Sequence, residues 1–277
     1  DKTKGPRKIL LKEYYDFACS LFPQLQYHFL NHGYAVLNAE GLFVTSMPEK
    51  FMREIFSAQL YHYCVTGMGS HKNLYEKVIL EIGSGRGGGL SYINTMFSPK
   101  LCVGIDESAA LVDFCREEYK DEQNLKFYQG DAEKLSQVGE INGQLFDIVL
   151  SVENSHNYKD FRKFLAEARL QLKQSGTFCF ADYRQRKDIP ALEADFKSEG
   201  WSIVKKEDVS VNLTHALKLE EKSSKKPALK STAQKYLLQI FKEVIGFGSA
   251  DIQDALKNRE MIYSIYILKK GMKAINQ

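Results

Sequence analysis

Val78-Ile-Leu-Glu-Ile-Gly-Ser-Gly-Arg-Gly-Gly-Gly89 is the stretch on which the reading of this chain turns. Val78–Ile82 is a short apolar run of the kind a fully buried strand makes, with one acid, Glu81, inside it. Five glycines fill the next seven positions and end the run. Glycine lets the backbone turn sharply and come close to a ligand. Leu90, Tyr92, Ile93 and Phe97 then continue with the spacing of a short helix. Strand, glycine turn and helix open a βαβ unit. Gly83, Gly85 and Gly88 satisfy the dinucleotide pattern GxGxxG, which alone is a weak signal. A glycine-rich turn that binds nothing is the plain alternative.

Working outward, strand signals recur at Leu101–Ile105, Leu125–Tyr128, Phe146–Leu150, Thr177–Ala181, Trp201–Lys206 and Met261–Leu268. Helical spacing falls between them, at 108–119, 159–173 and 189–199, with Gly176 placed to end the second of these helices. The alternation predicts an α/β fold: a doubly wound, mostly parallel, seven-stranded sheet, Rossmann-like, with helices on both faces. Residues 1–75 read as an N-terminal helical cap. One helix runs through Tyr14, Tyr15, Phe17, Leu21 and Phe22 to Pro23, and another from about Met47 through Phe51, Ile55, Leu60 and Tyr63. The core spans 76–208, a helical insert 209–257, and the terminal strand of the sheet lies in 258–277. Within the insert, Glu220–Lys226 reads as a solvated loop. Leu237, Leu238, Ile240, Phe241, Val244, Ile245 and Phe247 are too apolar for a solvated helix. They are expected either to roof a substrate pocket as a lid or to form a homodimer contact.

Composition bounds the function. The 277 residues are 44% hydrophobic and 26% charged, which excludes wholesale disorder. No apolar run approaches the ~20 residues of a membrane span, so no stable membrane insertion is expected. A net charge of +3 without a concentrated basic face argues against nucleic acid as a partner. Five cysteines without a CxxC pair give neither a zinc signature nor a disulfide framework. Reduced thiols in a cytoplasmic protein are the expectation. His28 and His32 are four apart but flank Asn31 and Gly33, a poor setting for a paired-ligand helix, and no HExxH occurs among these or His62, His71 and His215, so no metal site is expected.

Three acids favour S-adenosyl-L-methionine (SAM) over NAD as the ligand of the glycine turn. Glu81, two residues before the first glycine, can accept from a bound ammonium, whereas it would repel a pyrophosphate. Asp106 ends the second strand, where an acid takes ribose hydroxyls. Asp131, in Gly130-Asp-Ala132 after the third strand, can accept from an adenine amino group. Together they form an anionic cup for a ligand that carries sulfonium and ammonium charge.

With Val103-Gly-Ile-Asp106, Gly130-Asp-Ala-Glu-Lys-Leu135 and Phe146-Asp-Ile-Val149 following the glycine stretch in order, the chain resembles the class I SAM-dependent methyltransferases over about residues 76–182. More narrowly, Gly87-Gly-Gly-Leu-Ser-Tyr92, Val152-Glu-Asn-Ser-His-Asn-Tyr158 and Phe180-Ala-Asp-Tyr-Arg184 resemble one subgroup. It contains the phthiotriol and phenolphthiotriol dimycocerosate O-methyltransferases and related sugar and polyketide enzymes. The resemblance implies that Glu81, Gly83, Ser84, Gly85, Asp106, Asp131 and Ala132 hold SAM. It also implies that the helix carrying Tyr61-His-Tyr63 lies over the cofactor. The lysines of the insert (Lys218, Lys222, Lys225, Lys226 and Lys230) depart from the mycobacterial enzymes and speak against their very long lipid substrates.

Methyl transfer to a hydroxyl needs a base. His156 follows the fourth strand, on the rim where doubly wound sheets bind ligands, and imidazole can accept a proton at neutral pH. Asp182 ends the fifth strand and is placed to orient it. Sugar O-methyltransferases of this fold use a histidine and an acid at these points, so the resemblance implies the same pair. Glu153, on the same loop, is expected to contact substrate or to act as base in place of His156. The expectation is therefore O-methylation of a small molecule (lipid, sugar or polyketide-like). A nitrogen or carbon acceptor, an NAD(P)-dependent oxidoreductase and a non-catalytic SAM-binding module remain as alternatives.

Overall fold

The computed structural model describes residues 27–38, 40–44, 46–67, 73–222 and 250–271. The expected helix at Tyr14–Phe22 and the apolar run Leu237–Phe247 lie outside the described residues. Seven strands form one sheet: β1 (Val78–Ile82), β2 (Leu101–Asp106), β3 (Leu125–Gln129), β4 (Phe146–Val152), β5 (Leu172–Gln185), β6 (Trp201–Asp208) and β7 (Met261–Lys270). Their order is β3-β2-β1-β4-β5-β7-β6. β7 inserts antiparallel between β5 and β6, and the other neighbouring pairs are parallel.

The period of two along a strand sorts side chains into two cores. Val78, Leu80 and Ile82 face one side with Val103, Ile105, Val149, Phe178 and Phe180. Helices α4 (Phe161–Gln171) and α5 (Ile189–Ser198) cover that side with Phe164, Leu165, Leu192 and Phe196. Ile79, Cys102, Ile148, Leu150 and Ala181 face the other. It is covered by α1 (Ile55–His62) and by α2 (Gly88–Phe97) with Leu90, Tyr92 and Ile93. The same parity sends Glu81 toward α1 and α2, into a place with no exposed surface. Helix α3 (Ala109–Glu118) follows β2 and starts at Ser108, whose hydroxyl accepts from Leu111 N–H. Cys64, Cys102, Cys115 and Cys179 are buried thiols.

Three expectations need correction. Residues 27–48 carry no helix where they are described. Side chains of neighbouring elements satisfy this backbone instead: His28 and Phe29 N–H donate to the Glu54 carboxylate, His32 N–H to Glu153, and Phe43 and Val44 N–H to Gln59. Helix α4 ends at Gln171, and Gly176 lies inside β5 rather than at the end of a helix. A register shift between the pairs Phe146–Leu172 and Ile148–Thr177 absorbs the polar residues 173–176, which gave no strand signal. Finally, Glu220–Lys222 belongs to helix α6 (Ser210–Lys222) rather than to a solvated loop. Helix α7 (Ala250–Lys257) then leads into β7.

Candidate active site

The carboxyl ends of β1, β2 and β4 surround a cleft lined among others by Tyr61, Gly83, Ser84, Asp106, Glu153 and Asn157. Its floor is the glycine turn. Gly83 has φ of +75°, a conformation that side chains disfavour, and any Cβ there would collide with the Asn154 amide. A Cβ at Gly89 would strike the Tyr61 ring. Asp106 reaches across and accepts from Gly85 N–H at 2.8 Å through one oxygen and from Ser108 N–H at 3.0 Å through the other. It therefore shapes the turn as well as facing the cleft. Replacing Asp106 by alanine is expected to weaken SAM binding by about 1–3 kcal/mol, through lost charge-assisted hydrogen bonds and a looser turn. Calorimetry checks this, and an unchanged affinity removes Asp106 from the site.

Glu81 lies beneath the wall formed by Tyr61 and the turn. Tyr61 donates its hydroxyl to Oε1 at 2.6 Å, while Oε2 is buried with no hydrogen-bond partner, as is Ser84 Oγ. Burial pushes the Glu81 carboxyl up to about 8; the Tyr61 hydrogen bond opposes the rise, and the Asp106 charge adds to it. An orphaned acid oxygen of this kind fits a cationic group and does not fit a pyrophosphate. A SAM molecule, with its ammonium and sulfonium charges, is a ligand these residues suit. One Asp131 oxygen accepts from Glu133 N–H at 3.0 Å and caps the turn Ala132–Gln137; Glu81, Asp131 and Ala132 are not among the residues that line the cleft.

Beyond β4, the expected pair is assembled. His156 Nδ1 lies 2.8 Å from Asp182 Oδ1. Asp182 is 2% exposed and also accepts from Ser155 Oγ at 2.5 Å and from His156 N–H at 3.1 Å, with the Arg184 guanidinium 3.2 Å away. Burial opposes its ionisation, but the facing His156 and Arg184 hold the carboxyl well below the usual carboxylate range. A carboxylate held ionised in this way accepts a hydrogen bond from Nδ1–H, which leaves Nε2 as the accepting nitrogen. Tyr183 hydroxyl lies 2.9 Å and Asn157 Nδ2 3.0 Å from Nε2.

Glu153 lines the cleft, where a residue that contacts substrate would lie. Its carboxylate is buried against His32, accepting from the backbone N–H at 3.0 Å and pairing with Nδ1. It has φ of +54°, the left-handed conformation that non-glycine residues seldom adopt. A carboxylate held by a buried histidine is poorly placed to serve as an independent base. His32 was not legible as a site residue, because nothing in its local sequence sets it apart from a core histidine. Among the described residues no cluster suited to a metal ion occurs.

A model of the methyltransferase domain matches residues 74–244, more than half of the chain. The chain belongs to the methyltransferase-domain family. It is 36% identical over 165 residues to the fatty-acid O-methyltransferase of Mycolicibacterium smegmatis, an alignment covering 60% of this chain and only 56% of that enzyme. It is 29% identical over 211 residues to the phthiotriol/phenolphthiotriol dimycocerosates methyltransferase of Mycobacterium tuberculosis, covering 76% of this chain and 74% of the relative. Among solved structures, geranyl diphosphate C-methyltransferase from Streptomyces coelicolor superposes with a TM-score of 0.64 at 12% identity, over 96% of this chain and 98% of its own. The [4+2]-cyclase SpnF gives 0.65 at 15% identity, over 94% of each chain. At those identities the likeness is one of fold. Family and cleft agree on the cofactor of this methyltransferase domain, S-adenosyl-L-methionine. Among the described residues no helix is long and apolar enough to cross a membrane.

Proposed function

We propose that this methyltransferase moves the methyl group of SAM to a hydroxyl oxygen of a small molecule, with His156 as general base. The observation that carries the reading is the His156–Asp182 pair at 2.8 Å, on the rim beside the cleft. A hydroxyl is too weak an acid to react ionised at neutral pH and must lose its proton as the new bond forms. Bound SAM supplies an electrophilic methyl group on a sulfonium.

The residues do the rest. Glu81 and Ser84 offer acceptors to its charged end, and Asp106 faces the cleft where ribose hydroxyls need a partner. Phe29, Leu30 and Val152 give the cleft apolar walls that exclude water. Holding reactants in line can supply roughly 7–11 kcal/mol. Asp182 keeps the His156 proton on Nδ1 and stabilises the imidazolium that forms when Nε2 takes a second one.

A second reading has a specific observation behind it. The relative at 36% identity is named for fatty acids, whose carboxylates react without a base. Incubation with isotopically labelled SAM and a panel of hydroxy fatty acids, sugars and polyketide alcohols separates the two. The expected product carries label in an alkali-stable methyl ether. An alkali-labile ester identifies a carboxylate acceptor instead. Label on nitrogen or carbon, or no transfer to any acceptor of a cell extract, overturns the proposal.

A further inference from the structure

We propose that Tyr183 carries the acceptor's proton to His156. The inference rests on the O-methylation reading above and adds a residue to it. With Nδ1 turned to Asp182, the lone pair that makes His156 a base is on Nε2, and that atom is not open. The Tyr183 hydroxyl donates to it from 2.9 Å, and the phenol ring lies over the imidazole with centroids 4.4 Å apart and planes 29° from parallel. The backbone fixes this arrangement, because Tyr183 N–H donates to Asp182 Oδ1 at 2.8 Å. One carboxylate oxygen thus holds both the imidazole and the residue that covers it.

On its other side Tyr183 meets the edge of His32, with ring centroids 6.0 Å apart and planes at 88°. His32 is paired with Glu153, and Glu153 lines the cleft. Tyr183 therefore lies between the His156–Asp182 pair and the His32–Glu153 pair that backs the cleft wall. The Asn157 amide nitrogen, from a residue that lines the cleft, lies 3.0 Å from the same Nε2.

The balance is complete without any further reactant. The acceptor oxygen bonds the methyl carbon, and the carbon–sulfur bond breaks with its electron pair returning to sulfur. The acceptor proton passes to the Tyr183 oxygen while the phenol proton passes to His156 Nε2. Phenol is regenerated, and the positive charge rests on an imidazolium facing Asp182. The relay needs no free phenolate, so the high pKa of an ordinary tyrosine, about 10, is no obstacle.

Tyr183→Phe tests this, because phenylalanine keeps both ring contacts and removes only the oxygen. In the protein without ligands, nitrogen NMR of the imidazoles is expected to show His156 Nε2 moving to the resonance of an acceptor that has lost a donor. An unmoved Nε2 overturns the proposal whatever the acceptor is. With the acceptor selected by the panel, turnover is expected to fall roughly 10²-fold at unchanged KM for SAM. His156→Gln is expected to lose turnover as well, and the double variant no more than the worse single one, as groups acting in one relay do. Retained turnover in Tyr183→Phe alongside a loss in His156→Gln overturns the relay and leaves His156 as a direct base. Retained turnover in His156→Gln overturns the base itself, and the relay with it.

Discussion

His156→Gln is expected to lower turnover roughly 10²- to 10⁴-fold while SAM affinity stays within about twofold of the parent protein. Glutamine preserves a hydrogen-bonding side chain beside Asp182 but offers no nitrogen that accepts a proton. The loss should fall on the chemical step, because His156 does not line the cleft in which the cofactor residues meet. Single-turnover methyl transfer and SAM calorimetry on the same preparation separate the two effects. A loss of SAM affinity as large as the loss of turnover would mean a damaged fold rather than a missing base. Full turnover would mean an acceptor that needs no deprotonation.

The second large effect concerns Glu81, and its sign follows from burial. Its carboxyl sits at about 8 in the folded protein without ligand. Unfolded, it would titrate near the ordinary value of about 4.3. Between those values the folded state holds a proton that the unfolded chain releases, so this group's contribution to stability falls as pH rises through that window. A bound ammonium favours the charged carboxylate, so SAM binding must expel the proton. Affinity is then expected to tighten from pH 6 to 7.5, approaching tenfold per unit. About one proton should be released per SAM bound at pH 7, measured by calorimetry in two buffers of different ionisation enthalpy. Glu81→Gln should abolish both the slope and the release, and weaken binding roughly 10- to 150-fold at pH 7.5, the range expected for a lost hydrogen bond to a charged group. A flat affinity profile in the parent protein would place the ammonium elsewhere.

Much of this architecture was legible because the central strands are buried on both faces and so stand out as short, mostly apolar runs between helices. Val78–Ile82 and Met261–Ile267 are such runs, and the glycine turn after the first marks where a ligand is admitted. His156 and Asp182 were legible for a topological reason: residues that end neighbouring strands meet at one edge of the sheet. Their meeting depends on β4 and β5 being adjacent and parallel, with Val152 opposite Ala181. What stayed hidden depends on tertiary company. His32 becomes informative only when a residue 121 positions away presents a carboxylate to it. Residues 27–48 offered no warning that their backbone would be held by Glu54, Gln59 and Glu153 instead of by a helix of their own. Asp131 gave a signal that suits two roles, since an acid after a strand can face a ligand or cap a turn, and one of its oxygens caps here.

The antiparallel strand wedged between its two elders has a bearing on how the polypeptide is made. As synthesis proceeds, β6 emerges from the ribosome well before β7, yet the two edges that β7 joins cannot meet without it. Until β7 appears, the growing chain carries two raw edges, one of them the strand that bears Asp182. Such long-range closure is slow relative to local folding. Assembly of the chemical centre therefore waits on β7 being translated, and a nascent chain stalled short of β7 would be a sticky intermediate for chaperones to hold rather than a half-working catalyst.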